Sequence, residues 1–135
     1  STGKTNRDFQ TYFNAIKKLS DIRFKCVAHE IQNFNFPDNV EATISTTIIT
    51  DKTLSYKQLK EAYAKCIAVC IPLTGDEQDT CGYTECLEAM AMGKPVLMTK
   101  SGCLDLNLEK EGVGLYVKPN DSQDWINKIK LIDKN

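Results

Sequence analysis

The stretch that decides the fold is IAVCIPLTGDEQDTCGYTECLEAMAMGKPVLMT, residues 67–99. It begins with a continuous apolar run at 67–73, which is typical of a strand buried on both faces of a sheet. After a polar loop, residues 83–92 read as a helix that ends at Gly93, and a second strand-like run follows at 95–99. A strand, a helix and a strand joined by short connections predict a parallel β-α-β unit.

Helices and strands are predicted to alternate along the rest of the chain as well. Apolar residues recur there at helical spacing or in short β-branched runs, separated by polar loops. The predicted helices are residues 7–19, 55–66 and 122–132, and the further predicted strands are 22–28, 46–50 and 112–119, with a loop at 29–40. This order predicts an α/β fold with a Rossmann-like, doubly wound parallel sheet and helices on both faces.

The predicted fold indicates where functional residues should lie. In doubly wound sheets the ligand binds beyond the carboxyl ends of the strands. The loops that follow predicted strands are residues 29–38, 51–54, 72–82 and 99–105, together with 3–7 if a strand precedes residue 1.

The composition is typical of one soluble globular domain. The chain has 135 residues, of which 41% are hydrophobic, and a formal net charge of −1. That charge does not suggest a nucleic acid or an anionic membrane as a partner. No apolar run approaches the roughly 20 residues that a membrane-spanning helix needs. We expect a cytoplasmic protein, and the abrupt start of the chain suggests further residues upstream.

The cysteines do not favour a metal site. Six are present but none forms a Cys-x-x-Cys pair, and His29 is the single histidine. Structural zinc sites usually combine such pairs with further Cys or His ligands. We therefore expect no metal, and interpret the cysteines as small buried hydrophobic residues in a reducing compartment.

The chain opens with STGKT, which is similar to the end of a P-loop. A P-loop needs an earlier glycine, separated by four residues from the Gly-Lys pair, and a strand ahead of it. That glycine would lie before residue 1, and only TTIITD (46–51) resembles the partner strand that ends in aspartate. A short match of this kind arises easily by chance, so a triphosphate site at residues 1–5 is not favoured.

The helix predicted at 83–92 offers a better anion site. Its first turn presents unbonded backbone N–H groups and a partial positive charge. Gly82, directly before it, would let a ligand approach the backbone closely. Thr84 and Glu88 are four residues apart and share one helix face, so a carboxylate would lie one turn beyond a bound phosphate, within reach of vicinal hydroxyls. The alternative is a solvated glutamate that pairs locally, for example with Lys94.

The segment LEAMAMGKPVLMT (87–99) resembles the signature of retaining glycosyltransferases of the GT-B fold, family 4 type. Three other stretches also resemble that family's donor domain, and together they extend the similarity over residues 3–131. They are GKTNRDFQTYFNAIKKL, SYKQLKEAYAKCIAVCIPL and GVGLYVKPNDSQDWINKI. The resemblance implies that the chain is the C-terminal half of a GT-B enzyme, a single nucleotide-sugar-binding domain over residues 1–135.

The resemblance also implies roles for individual residues. Glu88 would bind the donor ribose, and Gly82, Tyr83 and Thr84 would bind the diphosphate. Lys4, in the pair Gly3-Lys4, and Arg7 would neutralise the diphosphate as the glycosidic bond breaks. The family's second acidic residue falls at Thr80, so a one-residue insertion would give the sugar-contacting role to Asp79. Gly102, after the strand at 95–99, could approach the donor or form a tight turn.

The family's N-terminal acceptor domain has no counterpart in these residues. We therefore expect this chain alone to transfer no sugar, and to need that domain from the same enzyme or from a separate acceptor-binding subunit. Peripheral membrane association through the missing domain is left open. Two alternatives remain: a non-catalytic α/β regulatory or partner-binding module, and the half-domain of a GT-B nucleotide-sugar epimerase.

Overall fold

The structure is a computed structural model that describes residues 2–3, 6–28, 35–44, 55–75, 81–101 and 105–134. Over these residues the chain alternates between strands and helices. The strands are β1 (Thr2–Gly3), β2 (Phe24–Ala28), β3 (Val40–Ile44), β4 (Val69–Ile71), β5 (Val96–Thr99) and β6 (Gly114–Val117). The helices are α1 (Phe9–Ile16), α2 (Tyr56–Lys65), α3 (Tyr83–Ala91) and α4 (Ser122–Asp133). The predicted α/β fold is confirmed.

The strands form two parallel three-stranded sheets, in the orders β1-β2-β3 and β4-β5-β6. The two sheets meet where the chain leaves β1 and β4, because Arg7 and Leu73 form an antiparallel bridge. Two backbone bonds flank this bridge: Asp8 N–H donates to Pro72 O (3.2 Å) and Thr74 N–H to Asn6 O (3.0 Å). The order β3-β2-β1 followed by β4-β5-β6 is doubly wound, and its direction reverses between β1 and β4.

Helices cover both faces of the second sheet. Cys70 and Leu97 share a buried cluster with residues of α1 and α4, among them Trp125. The next residues along the same strands, Ile71 and Met98, share a second buried cluster with residues of α2 and α3. Alternate side chains of each strand thus enter opposite layers, which confirms burial on both faces for residues 69–73 of the predicted run. Ile67, at the start of that run, is 60% exposed and precedes β4, so the prediction is wrong there.

Local capping explains where two helices begin. The Asp8 carboxylate accepts the Thr11 N–H at 3.1 Å and caps α1, which starts later than predicted because Arg7 belongs to the bridge with Leu73. Ser55 caps α2 as expected. Its hydroxyl accepts from Gln58 N–H, while the Gln58 side chain accepts the Ser55 N–H, a reciprocal capping box.

The third strand lies earlier than predicted. The predicted strand at 46–50 falls outside the described residues, and the structure instead shows β3 at Val40–Ile44, paired in register with all five residues of β2. The predicted loop at 29–40 is therefore wrong at Val40. Buried Asn39 anchors the start of β3, because its amide donates to the carbonyl oxygens of Ile16, Leu19 and Ile22.

A cleft of about 360 Å³ opens at the amino ends of β2 and β4. Apolar side chains line it, including Ile22, Phe24, Leu59 and Val69. Ligands of doubly wound sheets bind at the opposite, carboxyl ends of the strands, so this cleft is not the site that the sequence predicts.

Candidate functional site

The amino end of α3 has the geometry of an anion site. Gly82 precedes the helix with a φ of 85° and makes no side-chain capping bond. The N–H groups of the first turn have no acceptor within the helix itself and carry the positive end of its dipole. Tyr83 is 43% exposed, and the Thr84 side chain is exposed beside it. This end of α3 can therefore contact a ligand in solution.

The reason for glycine at position 82 is packing as well as backbone freedom. A Cβ atom there would lie 2.8 Å from Ile71 Cγ2 and 3.1 Å from Met98 Cε. The start of α3 is thus pressed onto the ends of β4 and β5. The sequence had suggested only that Gly82 lets a ligand approach the backbone. The structure shows that the absence of a side chain at this position also lets β4 and β5 pack against the start of α3.

The segment after β1 lies against the start of α3. Asn6 adopts a left-handed conformation (φ 52°), and its amide lies 3.9 Å from Cys81 Sγ, one residue before Gly82. The Arg7 guanidinium donates to Glu85 Oε1 in the first turn of α3. The two segments that the sequence assigned to one diphosphate site are therefore neighbours.

The Arg7–Glu85 ion pair is buried. The side chains are 4% and 9% exposed. Glu85 therefore balances the charge of Arg7 inside the protein, and Arg7 is held in place by that contact. Glu85 was not among the predicted site residues. The signal that could have found it is an acidic residue in the first turn of a helix opposite an arginine, but no local pattern links positions 78 residues apart.

Glu88 lies one turn further along α3 and is half-buried. The Tyr63 hydroxyl of α2 donates to its Oε2 at 3.0 Å. The Lys94 ammonium, suggested as a local partner, instead donates to the Ala64 carbonyl oxygen at 3.1 Å. Tyr63 is a second residue that sequence reasoning missed, because it belongs to another helix.

The structure brings together five of the predicted site residues: Arg7, Gly82, Tyr83, Thr84 and Glu88. Gly3 ends β1, its backbone paired with Ala28 of β2. Lys4, Asp79, Thr80 and Gly102 lie outside the described residues. The assignments of all these residues to a ligand stay predictions.

Among the described residues, no three His, Cys, Asp or Glu side chains lie close enough together to hold a metal ion. Burial raises the pKa of the Cys26, Cys70 and Cys86 thiols, which keeps them protonated near neutral pH. The expected absence of a metal from the reaction stays a prediction.

These features define a class of protein: a doubly wound α/β domain whose candidate site lies at the reversal of strand order. The family described as "Glycosyl transferases group 1" matches residues 4–135, so the chain belongs to that family and is a glycosyltransferase domain. No curated protein matches the chain. In the part of the chain that the structure describes, no helix is long and apolar enough to cross a membrane.

Proposed function

We propose that this domain binds the nucleoside-diphosphate sugar donor of a retaining GT-B glycosyltransferase of the family 4 type. The observation that carries the proposal is the contact between Arg7 and Glu85. It joins the loop after β1 to the first turn of α3 at the point where the strand order reverses, which is where doubly wound sheets bind nucleotides.

The donor diphosphate is assigned to the amino end of α3. Its oxygens would accept hydrogen bonds from the backbone N–H groups of Tyr83 and Thr84 and from the Thr84 hydroxyl. The helix dipole would favour its negative charge. Arg7 contacts this turn through Glu85, and Lys4 is assigned to neutralising the charge of the diphosphate. Negative charge develops on the diphosphate as it leaves the sugar, so fixed donors at this point stabilise the transition state more than the ground state.

The ribose is assigned to Glu88. Glu88 lies four residues, about 6 Å along the helix axis, beyond Thr84, and its side chain is half-buried rather than fully solvated. A carboxylate accepts hydrogen bonds from both hydroxyls of a vicinal diol. The diphosphate and ribose of one nucleotide would then lie along one face of α3.

The remaining assignments follow from the sequence resemblance. Asp79 or Thr80 would contact the donor sugar, and Gly102 and Gly3 would approach the donor from neighbouring loops. We infer that an acceptor domain, in the same enzyme or in a separate subunit, completes the reacting centre, and that residues 1–135 alone transfer no sugar. No metal is assigned a role in donor binding.

Calorimetric titration of the 135-residue chain with ADP, GDP and UDP tests the proposal. We expect one of them to bind, binding to disappear in Glu88→Ala, and binding to weaken about tenfold in Lys4→Ala, the scale of one charge-assisted hydrogen bond. Glu111→Ala and Lys128→Ala are matched controls, since Glu111 lies in the exposed turn before β6 and Lys128 lies in α4.

Two results would overturn the donor assignment. One is the absence of binding by all three nucleotides at millimolar concentration, which favours a non-catalytic partner-binding module. The other is full-strength binding by both site variants. Sugar transfer by the isolated chain would overturn the separate claim that a second domain is needed.

A further inference from the structure

We infer that Tyr63 is a positioning residue for Glu88, and that it holds the carboxylate where it can accept hydrogen bonds from the hydroxyls of the donor ribose. The inference rests on the proposed function, because it presupposes a nucleotide on α3. It adds a residue from a different helix, 25 positions earlier in the chain, to the recognition of the donor.

Tyr63 is a fixed anchor. It is 6% exposed and is the buried residue of α2, packed in the cluster that also holds Val69 and Ala89. The ring has few rotamers and is surrounded by packed side chains, so the position of its hydroxyl is determined by the core. A group that is hydrogen-bonded to that hydroxyl is therefore held in a defined position.

Glu88 is the group that needs positioning. A glutamate side chain has three rotatable bonds, and ordering it costs rotamer entropy. In this structure the Tyr63 hydroxyl donates to Oε2 at 3.0 Å. A carboxylate has about four lone-pair sites, so one bond from Tyr63 leaves acceptor capacity toward a ligand. The entropy cost of ordering the Glu88 side chain is thus met when the protein folds rather than when the nucleotide binds.

The helix that carries Tyr63 is itself tied to the site region. The Lys94 ammonium, just after α3, donates to the Ala64 carbonyl oxygen next to Tyr63 at 3.1 Å. The two contacts differ in kind, because the Lys94 bond joins α2 to the segment after α3, whereas the Tyr63 hydroxyl bonds the Glu88 carboxylate itself. Substitutions of the two residues therefore separate helix docking from carboxylate positioning.

The test compares ribose and 2′,3′-dideoxyribose forms of ADP, GDP and UDP, by calorimetry on the 135-residue chain and on Tyr63→Phe. The wild-type chain should prefer the ribose form of the nucleotide that it binds. Tyr63→Phe should weaken binding of that form about 5- to 10-fold, the scale of one hydrogen bond, and leave the dideoxy form unchanged.

Two control variants accompany this comparison. Tyr116→Phe removes a different tyrosine hydroxyl, which donates to Leu106 O at 2.7 Å, and should not alter the preference for ribose. Lys94→Met removes the bond to Ala64 O in α2 and retains the Tyr63 hydroxyl. If this variant weakens nucleotide binding, it should do so equally for the ribose and the dideoxyribose forms.

The outcomes separate this inference from the function on which it rests. A wild-type chain that binds both forms equally refutes the ribose role of Glu88, and the role of Tyr63 with it. A wild-type preference that Tyr63→Phe retains in full leaves the proposed function standing and refutes positioning by Tyr63. Equal weakening of both forms in Tyr63→Phe would assign the tyrosine a purely structural role.

Discussion

Arg7 and Glu85 form a buried ion pair between the loop after β1 and the first turn of α3. This contact lies where the strand order reverses, beside the backbone bridge of Arg7 and Leu73 that links the two sheets. Its partners are 78 residues apart in the chain. Stability and the geometry of the candidate site therefore depend on the same contact.

Removing one partner of this pair should destabilise the domain strongly. Glu85→Ala leaves the Arg7 charge buried without its carboxylate, which typically costs about 3–5 kcal/mol. The measurement is the free energy of unfolding in urea. Glu41→Ala is the control, because the Lys25–Glu41 pair is long (3.5 Å) and its side chains are 42% and 74% exposed, so its loss should cost less than about 1 kcal/mol. Equal losses in the two variants would contradict the structural role of the buried pair.

Gly82→Ala should be more damaging than Gly93→Ala. Both glycines have positive φ values, 85° and 67°, which cost an alanine about 1–2 kcal/mol. Only at position 82 would the new Cβ collide with neighbours, at 2.8 Å from Ile71, whereas nothing lies within 4 Å at position 93. We expect a further loss of about 1–3 kcal/mol for Gly82→Ala from overpacking. Thermal unfolding of the two variants side by side measures the difference, and identical midpoints would argue against close packing at Gly82.

Thr84→Val should weaken nucleoside diphosphate binding about 10- to 150-fold without altering stability. The side chain is exposed at the second position of α3, so its hydroxyl is expected to serve a ligand rather than the core. A hydrogen bond to a charged group is worth about 1.5–3 kcal/mol. Thr84→Ser retains the hydroxyl and should restore most of the affinity in the same titration. Unchanged affinity in Thr84→Val would exclude the hydroxyl from the diphosphate site.

Stability should decline at alkaline pH. Burial raises the pKa of Tyr12 well above its ordinary 10.0 and the pKa of Cys70 above its ordinary 9.0. The unfolded chain loses these protons first, so the stabilisation is complete below pH 9, begins to fall there as thiols of the unfolded chain ionise, and falls further above pH 10.

Each group that ionises only in the unfolded chain contributes up to about 1.4 kcal/mol per pH unit. Urea titrations at pH 7, 9, 10 and 11 measure the decline. Tyr12→Phe removes the phenol and should reduce the slope between pH 10 and 11. A slope in that interval as steep as that of the unaltered chain would exclude Tyr12 as a source of the alkaline instability.

Much of the fold could be predicted from local patterns. The apolar run at 67–73 and the signature at 87–99 each lie within one structural unit, so periodicity and turn residues suffice to identify them. Ser55 was recognised as a cap for the same reason, since a capping box involves residues three apart. The strand at Val40–Ile44 was missed because Glu41 and Ala42 have low strand preference, and pairing with β2 outweighs it.

The candidate site could be predicted only in part. Thr84 and Glu88 share a helix face by spacing alone, and Gly82 marks the start of α3. The partners of the charged residues could not be predicted, since Arg7 contacts Glu85 and Glu88 contacts Tyr63 across elements that are distant in sequence. The predicted roles of Lys4, Asp79, Thr80 and Gly102 await a direct test.

The sequence by itself determined which segments are strands buried on both faces, where most helices begin, and which family the chain resembles, because these properties depend on residues a few positions apart. Only the tertiary structure decided that the loop after β1 is held against the start of α3, that Arg7 is neutralised there by Glu85, and that Glu88 receives a proton donor from α2. Those contacts follow from how the two sheets and their helices pack, and packing brings together side chains that no local pattern can relate.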